Sequence, residues 1–191
     1  MFINKEKNPT QVGKVNSSDM QTKPSRSNNK WFSVNHIGLK KNQSDKNKIF
    51  IIKELVSNAF DEDISKCEVT VSWNSNGSTI KVVDDSSEGF KKLADAYTLF
   101  NESYKAGDTS KRGRFSYGTK SSLAMFKEAK IVSTKGTILF KSDGTRTKTS
   151  TKTEKGSIFE GVIKLKKSEY EEILNLSKTI IPPKNVEFFI N

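Results

Sequence analysis

Cysteine and histidine are almost missing from this sequence, which contains only Cys67 and His36. A single cysteine excludes an intrachain disulfide and any metal site built from several cysteines, and this usage favours an intracellular protein. A single histidine cannot supply a zinc cluster, and its use as a catalytic base would need partners that the sequence does not show. We therefore expect His36 in a loop or in the core.

Long apolar runs are also absent. No stretch approaches the roughly 20 apolar residues that cross a bilayer, and the N-terminus lacks the apolar segment of a signal peptide. We expect a soluble, cytoplasmic protein that has no membrane partner. The 191 residues show no internal repeat and suffice for one domain with a well-packed core.

Positive charge is concentrated at the N-terminus. The first 48 residues contain ten Lys and Arg against three Asp and Glu, a net of +7 out of +11 for the whole chain. Residues 1–30 are rich in Asn, Ser, Lys and Thr and lack apolar periodicity, which predicts a flexible basic arm before a domain over residues 31–191. Such an arm can contact nucleic-acid phosphates, although solvated charge is the commoner explanation. The residues expected to dock the arm on the domain are apolar: Trp31, Phe32, Val34, Ile37 and Leu39.

Apolar periodicity predicts a mixture of helices and strands. The predicted helices run from a cap at Ser44 or Asp45 to about Ile64, and over residues 90–100, 120–127 and 168–176. The predicted strands cover residues 67–73, 78–83, 131–134, 137–140, 157–165 and 186–190, with residues 141–156 as an exposed excursion. This order indicates an α+β protein with helices over one face of a sheet.

The first stretch with a chemical pattern covers residues 53–62. Glu54, Asn58 and Asp61 are three and four residues apart and share one helical face. Polar groups on an amphipathic helix normally face solvent, but an uncharged Asn58 between two apolar runs argues for a site. Glu54 is able to orient or deprotonate a water, and the amide oxygen of Asn58 to bind Mg²⁺. Asp61 is able to support that site through a water or to accept from a ligand donor. The stretch predicts a phosphate and metal site.

The second stretch follows a predicted strand. Ile80 and Val82 alternate towards one face, and Asp84 is the next position on that face. A carboxylate here is suited to accept a hydrogen bond from an exocyclic amine, and Gly89 allows a close approach of the backbone to a flat ring. Taken alone, the segment is more typical of a simple turn rich in Asp, Ser and Gly.

The third stretch, residues 111–122, places two glycines and a row of donors before a predicted helix. Lys120, with the hydroxyls of Thr119 and Ser121 and nearby backbone amides, is suited to bind phosphates. The spacing is not that of a Walker A loop, because Thr119 separates Gly118 from Lys120. Residues 101–120 are too many for a simple turn, which indicates a functional loop or lid.

Together the three stretches resemble the GHKL ATPase superfamily, which includes the gyrase B subunit, MutL, the heat-shock ATPase chaperones and the histidine kinases. Residues 54–62 resemble its E-x-x-x-N-x-x-D box, residues 84–90 its D-x-G-x-G box, and residues 113–120 its G-x-x-G lid box. The resemblance implies a Bergerat fold, a two-layer α/β sandwich in which helices cover one face of a mixed, mostly antiparallel sheet and ATP lies between the layers.

The resemblance also implies roles for single residues. Glu54 would be the general base, Asn58 the Mg²⁺ ligand and Asp61 a pocket residue. Two criteria disagree on which acid would hold the adenine amine. Asp84 continues the strand face of Ile80 and Val82, whereas Asp85 has the Asp-to-Gly spacing that is usual in the family. The remaining nucleotide-binding positions implied are Gly89, Gly113, Arg114, Phe115, Ser116, Tyr117, Gly118, Thr119, Lys120 and Ser157.

The function that the resemblance implies is Mg²⁺-dependent ATP binding and hydrolysis, with lid closure that switches a conformation or a partner and with dimerisation of the chain on ATP binding. Glu54, four residues before Asn58, favours the hydrolysing branch over the histidine kinases. The alternative is a module that binds nucleotide without hydrolysing it, or that binds DNA or a partner through its basic arm. Gyrase-like and MutL-like ATPases continue into a domain that supplies a lysine to the γ-phosphate, whereas this sequence stops at Asn191, so it is either a fragment or a minimal member.

Overall fold

Seven strands form one mixed sheet in a computed structural model that describes residues 34–90, 92–99 and 117–191. The strands are β1 (Lys66–Ser72), β2 (Ser78–Asp84), β3 (Glu128–Ser133), β4 (Gly136–Phe140), β5 (Arg146–Thr149), β6 (Ser157–Ile163) and β7 (Glu187–Ile190). The helices of the described residues are α1 (His36–Gln43), α2 (Ile49–Phe60), α3 (Tyr117–Leu123) and α4 (Lys167–Ser177), with a short 3-10 helix at Leu93–Ala96. The predicted basic arm and most of the predicted lid lie outside the described residues.

The strand order is β5-β4-β3-β6-β2-β1-β7. All neighbouring strands are antiparallel except β1 and β7, which are parallel. In this register Asp84, at the end of β2, lies opposite Cys67 on β1 and opposite Ser157 on β6. The predicted α+β class, with a mixed and mostly antiparallel sheet, is confirmed.

The core lies between α2 and one face of the sheet. Alternate residues of β1 are buried and exposed, as period-two patterning requires when one face of a sheet is covered. The buried face of α2 meets buried positions of β1 and β2, and these core side chains are Ile51, Ile52, Leu55, Val56, Val69, Val71, Ile80 and Val82. Cys67 belongs to this core, where burial and the charge of Asp84 raise the pKa of its thiol to about 12.

The start of α2 differs from the prediction. Neither Ser44 nor Asp45 caps this helix, because residues 36–43 form the separate helix α1 and Ser44 is its C-cap. The amide of Ile49 at the start of α2 donates instead to the side-chain oxygen of Asn47, at 2.9 Å. The apolar periodicity correctly predicted the buried face of α2. The predicted start of α2 was wrong because a separate helix, α1, precedes it.

Two other segments differ in part from the prediction. Residues 90–100 were predicted to be helical, but the described part of this segment contains only the short 3-10 helix. Its apolar side chains pack against the core from a largely irregular chain, so their helical spacing was misleading. Residues 141–156 are exposed as predicted, but they contain the edge strand β5, which pairs with β4.

The apolar residues predicted to dock the arm differ in burial: Leu39 is partly buried, and Trp31 and Phe32 lie outside the described residues. Val34 and Ile37 are 59% and 55% exposed, whereas Gln43 at the end of α1 is completely buried. The predicted docking role of Val34 and Ile37 is therefore wrong. His36, expected in a loop or in the core, is exposed at the start of α1 beside Gly144.

Within the described ranges there is no helix of the length and apolar character that crossing a membrane requires.

Candidate functional site

The polar edge of α2 contacts the beginning of α3. The side-chain amide of Asn58 donates a hydrogen bond of 2.7 Å to Oγ1 of Thr119. The carboxylate of Glu54 lies directly against Gly118, since a Cβ atom on this glycine would be 1.9 Å from Oε2. The first and third stretches of the sequence, which are about 60 residues apart, therefore meet side by side.

The environment of Glu54 suits a proton acceptor. Burial raises the pKa of this carboxyl, and the nearby ammonium group of Lys46 partly offsets the effect. A general base works best when its pKa is nearer the operating pH than that of a free carboxylate. Gly118 is essential to this arrangement because any larger residue would occupy the volume that the carboxylate fills.

Lys120, two residues further along α3, is an unusual buried cation. It is only 7% exposed, and burial lowers the pKa of its ammonium group to about 8, while the charge of Asp95 acts in the opposite direction. A desolvated ammonium group gains from an anion placed beside it. A phosphate group beside α3 would provide such an anion.

The second stretch places Asp84 on the buried side of the sheet. Its Oδ1 atom accepts hydrogen bonds from the backbone amides of Ser86 at 3.0 Å and Ser157 at 3.1 Å. Burial raises the pKa of Asp84 to about 6 despite these two bonds, and the negative charges of Glu62 and Asp85 add to the effect. Both bonds use Oδ1, which leaves Oδ2 as the oxygen suited to accept from a ligand amine.

Asp85 has a different role. Its carboxylate accepts hydrogen bonds from the backbone amides of Ser65 and Lys66, both at 2.9 Å, and from the hydroxyl of Ser65 at 2.6 Å. Burial alone would raise the pKa of Asp85, but these bonds outweigh it and lower the pKa to about 2. Asp85 therefore ties the end of β2 to the beginning of β1, and Asp84 is the better candidate for contact with adenine.

Glycines hold the turn after Asp84 against its neighbours. Gly156 has a φ of +73°, and a Cβ atom there would lie 2.0 Å from the carbonyl oxygen of Asp84. A Cβ atom on Gly89 would lie 3.1 to 3.3 Å from Gly156, Thr134 and Ser133, so on that side Gly89 approaches the protein's own chain. The predicted approach of Gly89 to a ligand ring stays a prediction. Gly156 was missed, because a glycine before a strand carries no specific signal.

The far end of α2 leads towards Asp84. Asp61 follows the last residue of α2 and is 3% exposed. Glu62, the next residue, is near enough for its charge to raise the pKa of Asp84. At 1.5 Å of rise per residue, the edge from Glu54 to Asp61 extends about 10 Å. One end of this edge contacts α3, and the other is close to the acid at the end of β2.

Sequence reasoning also missed Gln43. Its Nε2 atom donates to the hydroxyl of Tyr117 at 3.0 Å and to Oδ1 of Asn42 at 2.7 Å. No pattern in the sequence could have indicated this contact, because a glutamine near the end of a short polar helix is normally exposed.

Of the predicted site residues, Gly113, Arg114, Phe115 and Ser116 lie outside the described residues.

The described residues fit a Mg²⁺ site of the kind that a nucleotide completes. They contain no group of three or more His, Cys, Asp or Glu side chains arranged to hold a metal ion by themselves. Mg²⁺ commonly takes only one or two protein ligands, together with phosphate oxygens and waters. Because the Nδ2 atom of Asn58 donates to Thr119, its Oδ1 atom is the one suited to such an ion.

The geometry places an acid and an amide of one helix against a glycine-containing helix start, and an acid at a strand end near the other end of that helix. Residues 47–180 match the family described as histidine kinase-, DNA gyrase B-, and HSP90-like ATPase. The chain belongs to this family, which confirms the resemblance and implies that it binds ATP.

Solved structures agree on the fold. The ATPase region of Saccharomyces cerevisiae topoisomerase II matches with a TM-score of 0.55 and 13% identity, and the same region bound to ICRF-187 (dexrazoxane) matches with 0.54 and 14%. Each match covers 75% of this chain but only 47% of the topoisomerase chain. At this identity the likeness concerns the fold alone. A comparison with curated protein sequences found no match.

Proposed function

We propose that this chain is a Mg²⁺-dependent ATPase domain in which α2 and α3 hold the triphosphate and Asp84 holds the adenine. The observation that supports it best is the contact of Glu54 with Gly118 and of Asn58 with Thr119. These contacts align the base and the metal ligand with the predicted phosphate-binding residues. Family membership supplies ATP as the ligand.

Each residue has a defined task in this proposal. Asp84 accepts from the exocyclic amine of adenine, next to Ser157. Lys120 and Thr119 bind phosphate oxygens, and Asn58 holds Mg²⁺ through Oδ1. The ion, when bound, neutralises phosphate charge. Glu54 takes a proton from the attacking water, and Asp61 supports the pocket near adenine.

Lid closure, a partner switch, dimerisation on ATP binding and contact of the basic arm with nucleic acid all stay predictions. The arm over residues 1–30 and the lid residues 101–116 lie outside the described residues, so the contacts above neither support nor oppose these roles. The division into an arm and a domain over residues 31–191 is likewise a proposal. We favour hydrolysis over a module that only binds nucleotide, because the half-buried Glu54 suits a base.

A titration of the purified chain with ATP tests the proposed function. We expect saturable binding by calorimetry that needs Mg²⁺ and is abolished by chelation with EDTA, and slow release of phosphate from ATP. GTP should bind more weakly, since its ring presents a carbonyl oxygen where Asp84 needs a donor. Binding without phosphate release would favour the nucleotide-binding module, and absence of binding would contradict the whole proposal.

The affinity for ATP should depend on the protonation of Asp84. Because its pKa is about 6, most of this carboxyl is protonated at pH 5, where it is a poor acceptor for the adenine amine. We expect the dissociation constant to rise about tenfold between pH 7.5 and pH 5 through this group. Binding isotherms measured across this range check the expectation.

Protonation of Asp84, which should weaken ATP binding, should stabilise the folded state. The pKa of Asp84 is raised above its ordinary value of 3.8, so the native state binds this proton more tightly than the unfolded chain. Through Asp84, native stability therefore increases as the pH falls from about 6 to about 4. Asp84→Asn is the matched control, because it should stabilise the free fold at pH 7, weaken ATP binding and remove this part of the pH dependence. An unchanged pH profile in that variant would exclude Asp84 as the titrating group.

A further inference from the structure

Three consecutive residues at the beginning of α3 are each held by a different polar side chain. Gly118 contacts Glu54 and Thr119 accepts from Asn58, and both of these partners belong to α2. Tyr117 accepts from Gln43, which belongs to α1. Gln43 therefore completes the set of contacts around the residues that the proposed function assigns to the triphosphate.

The burial of Gln43 is difficult to explain by packing alone. It is 0% exposed, although α1 leaves the apolar side chain of Ile37 55% exposed. Its Oε1 atom has no hydrogen-bond partner among the residues that the structure describes. Burying an amide with an unpaired oxygen costs free energy that an apolar side chain of similar size would avoid. The amide makes two hydrogen bonds in exchange, one of 2.7 Å to the neighbouring Asn42 and one of 3.0 Å to Tyr117, and only the second joins α1 to α3.

We infer that Gln43 is a positioning residue for the nucleotide site, because its side-chain amide fixes the ring of Tyr117 and thereby the placement of Thr119 and Lys120. This inference rests on the proposed function. It makes α1 a functional part of the site, although α1 contains none of the family's sequence boxes. The hydrogen bond of 3.0 Å from its Nε2 atom to the hydroxyl of Tyr117 carries the inference.

The test compares Gln43→Met with Tyr117→Phe and with the double variant. Methionine has a similar length and no polar atoms to leave unpaired, so the thermal midpoint of the free chain should be unchanged or higher. Loss of the hydrogen bond should nevertheless weaken Mg-ATP binding roughly five- to tenfold. The affinity for AMP, which lacks the β- and γ-phosphates, should stay within about twofold.

The double variant separates positioning from a general effect. If Gln43 acts through Tyr117, the double variant should bind Mg-ATP no more weakly than Tyr117→Phe alone. The matched control is Lys40→Met, which alters an exposed side chain of the same helix. Additive losses, a Gln43→Met variant that binds Mg-ATP as the unaltered chain does, or equal losses for AMP and ATP would overturn the inference.

Failure of this inference is distinguishable from failure of the proposed function. If the unaltered chain does not bind Mg-ATP, the proposed function fails and this inference fails with it. If the unaltered chain binds Mg-ATP and loses it on replacement of Asn58, while Gln43→Met has no effect, only the positioning role is excluded.

Discussion

Asn58→Ala is expected to lower the affinity of the chain for Mg-ATP by about 100-fold or more. The substitution removes the oxygen proposed to bind Mg²⁺, and it also removes the donor that holds Thr119 at 2.7 Å. Both losses act on the triphosphate end of the nucleotide. Calorimetric titration with Mg-ATP and with a non-hydrolysable analogue measures the effect.

Ser57→Ala provides the control for this variant. Ser57 is the preceding residue of α2 and is only partly buried, and no side-chain hydrogen bond from it occurs among the described residues. Ser57→Ala should therefore bind Mg-ATP like the unaltered chain. Thermal unfolding of both variants establishes that they are folded. An Asn58→Ala variant that binds Mg-ATP with unchanged affinity would refute the assignment of the metal ligand.

Glu54→Gln is expected to have the opposite profile, with intact binding and little hydrolysis. Glutamine has the size of glutamate and fits against Gly118, so Mg-ATP affinity should stay within about threefold. A glutamine cannot accept the proton of the attacking water, so the rate of phosphate release should fall about 100- to 10,000-fold. Single-turnover phosphate release, with affinity measured separately, distinguishes binding from chemistry.

Gly118→Ala disturbs the same carboxylate from the other side. A Cβ atom at this position would lie 1.9 Å from Oε2 of Glu54, and the side chain of Glu54 is flexible enough to move away. The variant should therefore remain folded and lose phosphate release, because the base is displaced from its position. For the variant of the preceding paragraph, Glu54→Gln, normal release of phosphate would mean that a group other than Glu54 accepts the proton.

The strand pattern around Asp84 shows how far sequence reasoning reaches. Two rules disagreed, since the family's spacing favoured Asp85 and the alternation with Ile80 and Val82 favoured Asp84. Alternation indicated the carboxylate on the same face as the buried Ile80 and Val82, because successive side chains of a strand point to opposite faces whatever the spacing of a loop. That Asp85 is bound to Ser65 and Lys66 could not be predicted, since these residues meet only through the pairing of β1 with β2.

Helix boundaries were less predictable than helix faces. The buried face of α2 followed from local periodicity, which depends only on residues three and four positions apart. The segment at residues 90–100 had similar spacing but formed only a 3-10 helix over Leu93–Ala96. Its aromatic side chains are held by tertiary contacts, including Tyr97 beneath the guanidinium of Arg146 at 3.9 Å. Such contacts join residues about 50 positions apart and leave no local pattern.

By itself the sequence determined the class of fold, the family and the polar edge of α2, because these depend on short-range periodicity and on closely spaced motifs. Only the tertiary structure decided which residues share a site. The contact of Glu54 with Gly118, the role of Asp85 as a tie between strands and the burial of Gln43 all depend on elements distant in sequence. These contacts arise from the packing of α1, α2 and α3 and from strand register, neither of which a local pattern encodes.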